Sequence, residues 1–188
     1  MPARLDLELT KKLAQSFPTG KAWNTINMST FIADRGPRIF SNWTAGTSLK
    51  GVGGVYAILL PTEWFSQPRL LRLHPPHKHA EKFIPFEFTL SVLHDRYGVV
   101  YVGRTTDLSR RVRLHLTEGK RKNGGQVKFG LLDCGLHVDS PSALRALRQH
   151  GKFIYTVLNG PDQCANRDVL EMALCARFGP PFNIKSER

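Results

Sequence analysis

Cysteines, long apolar runs and acidic residues are all scarce in this chain of 188 residues. The three cysteines, Cys134, Cys164 and Cys175, have no CxxC spacing, so neither a disulfide framework nor a zinc site is predicted. We interpret them as buried thiols in a reducing compartment. No apolar run approaches the ~20 residues of a membrane span, and the N-terminal segment carries acids where a signal peptide has its apolar core. The sequence therefore predicts a cytoplasmic protein with no membrane partner.

The shortage of acids leaves a strong positive charge: 15 Asp and Glu face 27 Lys and Arg, a formal net charge of +12. Half of this excess lies within residues 104–128, which contain two acids, Asp107 and Glu118. The eight basic residues of that segment are Arg104, Arg110, Arg111, Arg113, Lys120, Arg121, Lys122 and Lys128. Such clustering suits a polyanion, because each neutralised phosphate releases counterions. The alternative is a basic face that is merely solvated.

The order of the predicted elements indicates a mixed α/β (α+β) domain. Strands are expected at 55–60, 99–102, 127–132 and 152–158, the last with Ile154 and Val157 in the core. Helices are expected near the N-terminal leucines 5–13, from about 108, over 140–150 with Ser140 as the cap, and over 167–178 with Asn166 as the cap. We place an N-terminal arm or subdomain at 1–50, a single domain at 51–188, and an insertion at 61–96 within that domain.

The segment 99–115, VVYVGRTTDLSRRVRLH, joins a short strand to a basic helix. The strand delivers Tyr101, and a Thr-Thr-Asp turn can cap the helix that follows. Leu108, Val112 and Leu116 recur at helical spacing, which predicts a buried face. Arg111 and His115 are four residues apart and share the neighbouring face. A tyrosine, a cation and an imidazole are thus expected on adjacent elements.

Two further features bear on metal binding, and a metal is better supported at Glu171 than at the HPPHKH motif. Glu171 shares a predicted helix face with Leu174, Cys175 and Phe178, which is an unfavourable place for a carboxylate without a partner, and a metal would supply one. The insertion contains HPPHKH, but its prolines preclude a helical histidine pair and no carboxylate stands at ligand spacing. A basic loop that contacts DNA or a protein partner is the better interpretation of that segment.

Several of these residues occur in an order that resembles the signature of the GIY-YIG nuclease superfamily. The matching elements are GVY at 54–56, YVG at 101–103, Arg111, His115, Glu171 and Asn183 within PPFN. The resemblance covers about residues 51–185 and implies a small three-stranded antiparallel sheet flanked by helices. One departure is that Tyr56 and Tyr101 are 45 positions apart, whereas the superfamily usually joins its first two strands by a short hairpin. A long insertion together with an N-terminal arm resembles the type II restriction endonucleases of the superfamily.

The resemblance implies a role for each matching residue in phosphodiester hydrolysis. Glu171 would hold one Mg²⁺, for which Mn²⁺ could substitute, because Mg²⁺ commonly takes one or two carboxylates. Arg111 would steady the scissile phosphate. Tyr56 would be the general base, made more acidic by nearby cations and metal-bound water, with His115 as the alternative base. Tyr101 and His115 would position the water or relay protons, and Asn183 would orient the site.

We therefore expect a sequence-specific endonuclease that cuts a short palindrome in double-stranded DNA as a homodimer, with a cognate methyltransferase in the same bacterial or phage-like system. The candidates for DNA contact are Arg104, Arg110, Arg113, Lys120, Arg121, Lys122, Gln126 and Lys128. The PD…(D/E)xK pattern and an HNH-like zinc arrangement, which mark other nucleases, are both absent from the sequence. Two alternatives stay open: a GIY-YIG enzyme of the repair or homing type, and a catalytically inactive basic DNA-binding protein.

Overall fold

The structure is a computed structural model that describes residues 5–29, 49–67, 69–72, 85–88, 90, 93, 96–117 and 126–183. In chain order, the helices and strands of these residues are α1 (Leu7–Ser16), β1 (Asn24–Asn27), β2 (Gly54–Pro61), β3 (Arg69–Arg72), β4 (Pro85–Phe88), β5 (Tyr97–Thr105), α2 (Leu108–Leu116), α3 (Gln126–Asp133), α4 (Ser140–His150), β6 (Lys152–Val157) and α5 (Cys164–Phe178). The predicted mixed α+β class is confirmed.

The main sheet in the described part of the chain has four antiparallel strands in the order β1-β6-β2-β5. We expected three strands. The fourth is β1, from the N-terminal region, which pairs with β6 over its whole length from Asn24 to Asn27. The strands β3 and β4 pair with each other inside the predicted insertion and form a separate hairpin.

The central strand β2 is buried along all eight residues because helices cover both faces of the sheet. Successive side chains of a strand point to opposite faces, so its residues divide into two sets. Tyr56, Ile58 and Leu60 pack with the apolar residues of α2, α3 and α4, and Val55, Ala57 and Leu59 pack with those of α1 and α5. This double burial explains why VYAILL is a continuous apolar run rather than an alternating one.

The strand and helix predicted within 99–115 are both confirmed. The β5 strand contains residues 99–102, and α2 begins at Leu108 with Asp107 as its N-cap, whose carboxylate accepts the backbone N–H of Arg110 at 2.9 Å. Leu108, Val112 and Leu116 are buried as the spacing predicted. The pairing of β2 with β5 shifts by one residue between Ile58 and Leu59, so β5 contains a bulge beside the tyrosines.

The strand predicted at 127–132 is wrong, because these residues lie in α3. Val127 and Leu131 are both fully buried and stand four residues apart, which is the spacing of one helix face. Gly130 lies against the ring of Phe182, where a Cβ atom would overlap the ring. A helix therefore buries the apolar residues of this run and leaves room for that contact.

Two predicted helix starts are displaced. Asp139, rather than Ser140, caps α4, and its carboxylate accepts the N–H of Ser142 at 2.7 Å. The last helix begins at Cys164, so Asn166 lies inside its first turn, where the Asn166 side chain accepts the N–H of Asp6 at 2.7 Å. The asparagine therefore ties the residue before α1 to α5.

Three burial predictions are also corrected. Val157 is exposed at the end of β6, whereas Ile154 is buried as expected. Cys164 is exposed and Cys175 is half-buried, so only Cys134 of the three cysteines is a buried thiol.

No helix in the described ranges has the length and apolar character needed to cross a membrane.

The described part of the N-terminal region packs on the domain. The predicted helix near residues 5–13 is confirmed as α1, which lies against α5. Phe17 and Trp23 are buried, with their rings 4.8 Å apart in an edge-to-face contact, and the Phe17 ring also lies 5.3 Å from that of Phe178. The division into an arm and a domain remains a prediction.

Candidate active site

Tyr56, Tyr101 and His115 converge on the face of the sheet that α2 covers. The Tyr56 hydroxyl lies 3.1 Å from Nε2 of His115. The ring centroids of the two tyrosines are 6.0 Å apart, and the His115 ring is 5.8 Å from Tyr56 and 5.0 Å from Tyr101. The ring of Phe153 stacks on Tyr56 at 5.1 Å. The structure thus brings together two of the predicted strand residues and one of the predicted helix residues.

The pairing of β2 with β5 sets the positions of the two tyrosines. Tyr56 stands directly opposite Gly103, and Tyr101 stands opposite Ile58, two residues along the same face. A Cβ atom on Gly103 would lie 2.7 Å from the Tyr56 hydroxyl and 2.8 Å from Cε1 of Tyr101. Glycine is therefore required here because the tyrosine hydroxyl end occupies the space over its backbone. The GVY and YVG segments are neighbours in the sheet despite the insertion between them.

His115 is a neutral imidazole at physiological pH. Burial lowers its pKa from 6.5 to about 3, and the charge of Arg111 acts in the same direction. Its Nδ1 atom is buried and has no hydrogen-bond partner in the described part of the chain. The contact of His115 with the Tyr56 hydroxyl is made through Nε2, so one of these two atoms donates the hydrogen and the other accepts it.

The tyrosines are neutral as well in the protein alone. Burial raises the pKa of Tyr56 well above its usual value, and the neighbouring Tyr101 raises it further. Burial also raises the pKa of Tyr101. The charge of Arg111 lowers both pKa values, in the expected direction, but desolvation outweighs it. In the protein alone, Tyr56 is a phenol rather than a phenolate.

Arg111 and Glu171 lie within electrostatic range of this cluster. The Arg111 charge acts on Tyr56, Tyr101 and His115 from the neighbouring face of α2, and its side chain is half-buried. Glu171 of α5 raises the pKa of both tyrosines, although burial is the larger cause. An arginine and a carboxylate therefore approach the aromatic cluster from two different helices.

Glu171 has a partner that the sequence pattern did not indicate. Nε of Arg104 donates to Oε2 of Glu171 at 2.9 Å, and Nη1 of the same guanidinium lies 2.6 Å from Oδ1 of Asp168. The carboxylate therefore has a cationic partner within the protein, and its position on the helix does not by itself indicate a metal. Asp168 precedes Glu171 by three residues, and this spacing was the available signal that both point to one side of α5.

Asn183 holds the outer edge of β5 beside Tyr101. Its side-chain oxygen accepts the N–H of Val102 at 2.6 Å, and its side-chain nitrogen donates to the carbonyl of Val102 at 2.6 Å. The side-chain nitrogen also lies 3.5 Å from Sγ of Cys175 on α5. The amide pairs with both backbone groups of Val102 as a further strand would, and it links the β5 edge to α5.

The predicted DNA-contacting residues divide by exposure. Arg104, Arg110 and Arg113 are exposed, and Gln126 is half-buried. Lys128 does not fit the prediction, because it is buried at 2 % exposure with its ammonium 4.4 Å from the Phe129 ring centroid. The remaining candidates lie outside the described residues, as do the histidines of the HPPHKH motif; they are Lys120, Arg121, Lys122, His74, His77 and His79.

No group of three or more His, Cys, Asp or Glu side chains able to hold a metal ion occurs among the residues that the structure describes. Comparison with protein-family models found no match, and no match was found among curated proteins or solved structures.

Proposed function

We propose that the protein is a Mg²⁺-dependent, sequence-specific DNA endonuclease with a GIY-YIG nuclease domain. The observation that carries the proposal is the cluster of Tyr56, Tyr101 and His115 with Arg111 and Glu171 in electrostatic range. These residues come from two strands and two helices, and together they offer the groups that phosphodiester hydrolysis needs: proton carriers, a cation for the phosphate and a carboxylate. The β6, β2 and β5 strands would be the three-stranded sheet of that superfamily, with β1 added.

Neutral Tyr56 and neutral His115 can act together on the attacking water. As the water oxygen bonds to phosphorus, the P–O bond to the leaving oxygen breaks, and that oxygen takes a proton from solvent. One proton of the attacking water passes to the Tyr56 oxygen, while the Tyr56 hydroxyl proton passes to Nε2 of His115, 3.1 Å away. This relay needs no phenolate in the resting protein. Arg111 binds the phosphate and stabilises the charge that develops on it, and Tyr101 packs against both proton carriers and restricts their movement.

Glu171 is the residue that would hold the metal ion. Its side chain is 20 % exposed and its carboxylate already binds a cationic group. Carboxylate oxygens suit Mg²⁺, which needs only one or two protein carboxylates. The donor set therefore fits a hard divalent cation. A bound Mg²⁺ or Mn²⁺ ion would supply Lewis-acid stabilisation of negative charge at the phosphate.

The exposed Arg110 and Arg113 of α2 extend a basic surface from this cluster, which is suited to DNA phosphates. One active site per chain and a palindromic target favour a two-fold homodimer. We therefore place the protein among the type II restriction endonucleases, in a bacterial or phage-like system that includes a methyltransferase to protect the host sites.

The test is Glu171→Gln, with Glu8→Gln on the exposed surface of α1 as the matched control. Plasmid DNA is incubated with each protein in Mg²⁺, and the cut ends are mapped; DNA binding is measured separately in EDTA. We expect discrete fragments from the wild type and from Glu8→Gln. Glu171→Gln should lose cleavage by about 100-fold or more and keep its affinity for DNA, because a carboxylate ligand is removed while the basic surface is intact.

The other outcomes separate the alternatives. Cleavage restricted to branched or damaged DNA would assign the protein to a repair role. If no DNA is cut with Mg²⁺ or Mn²⁺, the fold is an inactive DNA-binding module. Undiminished cutting by Glu171→Gln would contradict the metal assignment.

A further inference from the structure

The guanidinium of Arg104 bridges two carboxylates of α5. Nε donates to Oε2 of Glu171 at 2.9 Å, and Nη1 contacts Oδ1 of Asp168 at 2.6 Å. Arg104 extends to the α5 side of the sheet, opposite to the face of the tyrosine cluster, but Glu171 is near enough to raise the pKa of both Tyr56 and Tyr101. One cation therefore occupies an oxygen of the carboxylate that the proposed function assigns to the metal.

This arrangement creates a competition between two cations for one oxygen. A divalent ion that approaches Oε2 of Glu171 meets the N–H of Arg104, and binding through that oxygen requires the guanidinium to leave. Asp168 increases the stability of the occupied state because it holds the other arm of the guanidinium. The free protein should thus bind the metal less tightly than Glu171 alone would allow.

The bridge is also weak enough to be exchanged. Arg104 and Asp168 are 44 % and 41 % exposed, against 20 % for Glu171, so the arginine can swing into solvent without repacking the core. Exposed ion pairs change an equilibrium by about fivefold at most. A phosphate of DNA offers arginine a planar two-oxygen acceptor with charge-assisted hydrogen bonds, which compete well with such pairs.

We propose that Arg104 is a positioning residue that exchanges partners: it holds Glu171 and Asp168 in the free protein and binds a backbone phosphate in the DNA complex. The inference rests on the proposed function, since it requires Glu171 to be the metal ligand and DNA to be the substrate. Its consequence is that DNA binding releases the metal ligand, so the divalent ion is bound up to about fivefold more tightly when a substrate is present.

The first experiment measures Mn²⁺ binding to the DNA-free protein by electron paramagnetic resonance. Arg104→Gln should bind Mn²⁺ about fivefold more tightly than the wild type, because the competing cation is removed. Arg110→Gln, which removes a charge from the exposed face of α2, is the matched control for general electrostatics and should change the affinity much less. Glu171→Gln should lose the site.

The second experiment measures the salt dependence of binding to a plasmid in EDTA, which needs neither metal nor cleavage. The logarithm of the DNA association constant falls linearly with the logarithm of the salt concentration. Arg104→Gln should make this slope shallower by about 0.9, the value of one lost phosphate contact. Asp168→Asn keeps the arginine and loosens its attachment to α5, so it should retain the wild-type slope.

The two levels of the proposal fail differently. The exchange is overturned if Glu171→Gln loses Mn²⁺ binding but Arg104→Gln changes the Mn²⁺ affinity no more than Arg110→Gln does. It is also overturned if Arg104→Gln keeps the wild-type salt slope. In both cases the nuclease proposal stands. If Glu171→Gln binds Mn²⁺ as the wild type does, the metal assignment itself fails. Absence of Mn²⁺ binding by Arg104→Gln also overturns the exchange.

Discussion

Replacing His115 with glutamine should remove a large part of the acid sensitivity of folding. The imidazole is fully buried, and its pKa of about 3 in the native protein compares with 6.5 when it is exposed. Below pH 6.5 the unfolded chain therefore binds a proton that the native protein does not, and unfolding becomes more favourable. The His115 contribution to stability is complete above this range and is lost progressively as the pH falls towards 3.

The magnitude follows from the two pKa values. Between pH 8 and pH 4.5, the wild type should lose about 3 kcal/mol of unfolding free energy through His115 alone. Burial also lowers the pKa of His137, but that group is present in both proteins and cancels in the difference between them. Urea unfolding followed by tryptophan fluorescence at four pH values gives the two curves.

The control is His150→Gln, which replaces an exposed histidine at the end of α4 and should follow the wild-type curve. If the unfolding free energies of the wild type and of His115→Gln fell equally as the pH is lowered, the reasoning would be refuted. That result would mean that the buried imidazole takes up a proton in the folded protein as readily as in the unfolded chain. A titration of the His115 ring by nuclear magnetic resonance provides a direct check, and a native pKa near 6.5 would refute it equally.

Two further predictions concern the β5 strand. Gly103→Ala should destabilise the fold by about 1–3 kcal/mol through overpacking against Tyr56 and Tyr101, and should abolish cleavage; an unchanged urea midpoint would contradict the close contact. Asn183→Ala removes two hydrogen bonds to Val102 and should cost about 1–3 kcal/mol, with faster hydrogen exchange of the Val102 amide. Undiminished protection of that amide would show that Asn183 does not hold the edge of β5.

The sequence was most informative where periodicity and capping agreed. The strand at 99–102 and the helix from Leu108 were predictable because β-branched residues, a capping aspartate and apolar spacing all indicate the same boundaries. The run at 127–132 predicts a strand although it forms a helix, because a short apolar segment suits a buried strand and a buried helix equally well. Its packing against Phe182, about fifty residues downstream, supplies the missing information.

The candidate site likewise has features that the sequence predicts and features that depend on tertiary packing. The residue types of the site could be identified from their order along the chain, but their electrostatic state could not. The salt bridge from Arg104 to Glu171 spans 67 positions and depends on how α5 packs against β5. Likewise, the neutral state of His115 follows from complete burial, which no local pattern specifies.

The pairing of β2 with β5 also places the tyrosine cluster away from the segment that connects the two strands. The two strands meet at Pro61 and Tyr97, so the 35 residues between them leave and re-enter the sheet at one end, whereas Tyr56 and Gly103 face each other five residues along β2 from that end. Closing a longer loop costs only about 0.6 kcal/mol for each doubling of its length. The segment between Pro61 and Tyr97 is therefore a module that evolution can lengthen, shorten or exchange, and thereby change what the protein contacts, while the register of the tyrosines is unaltered.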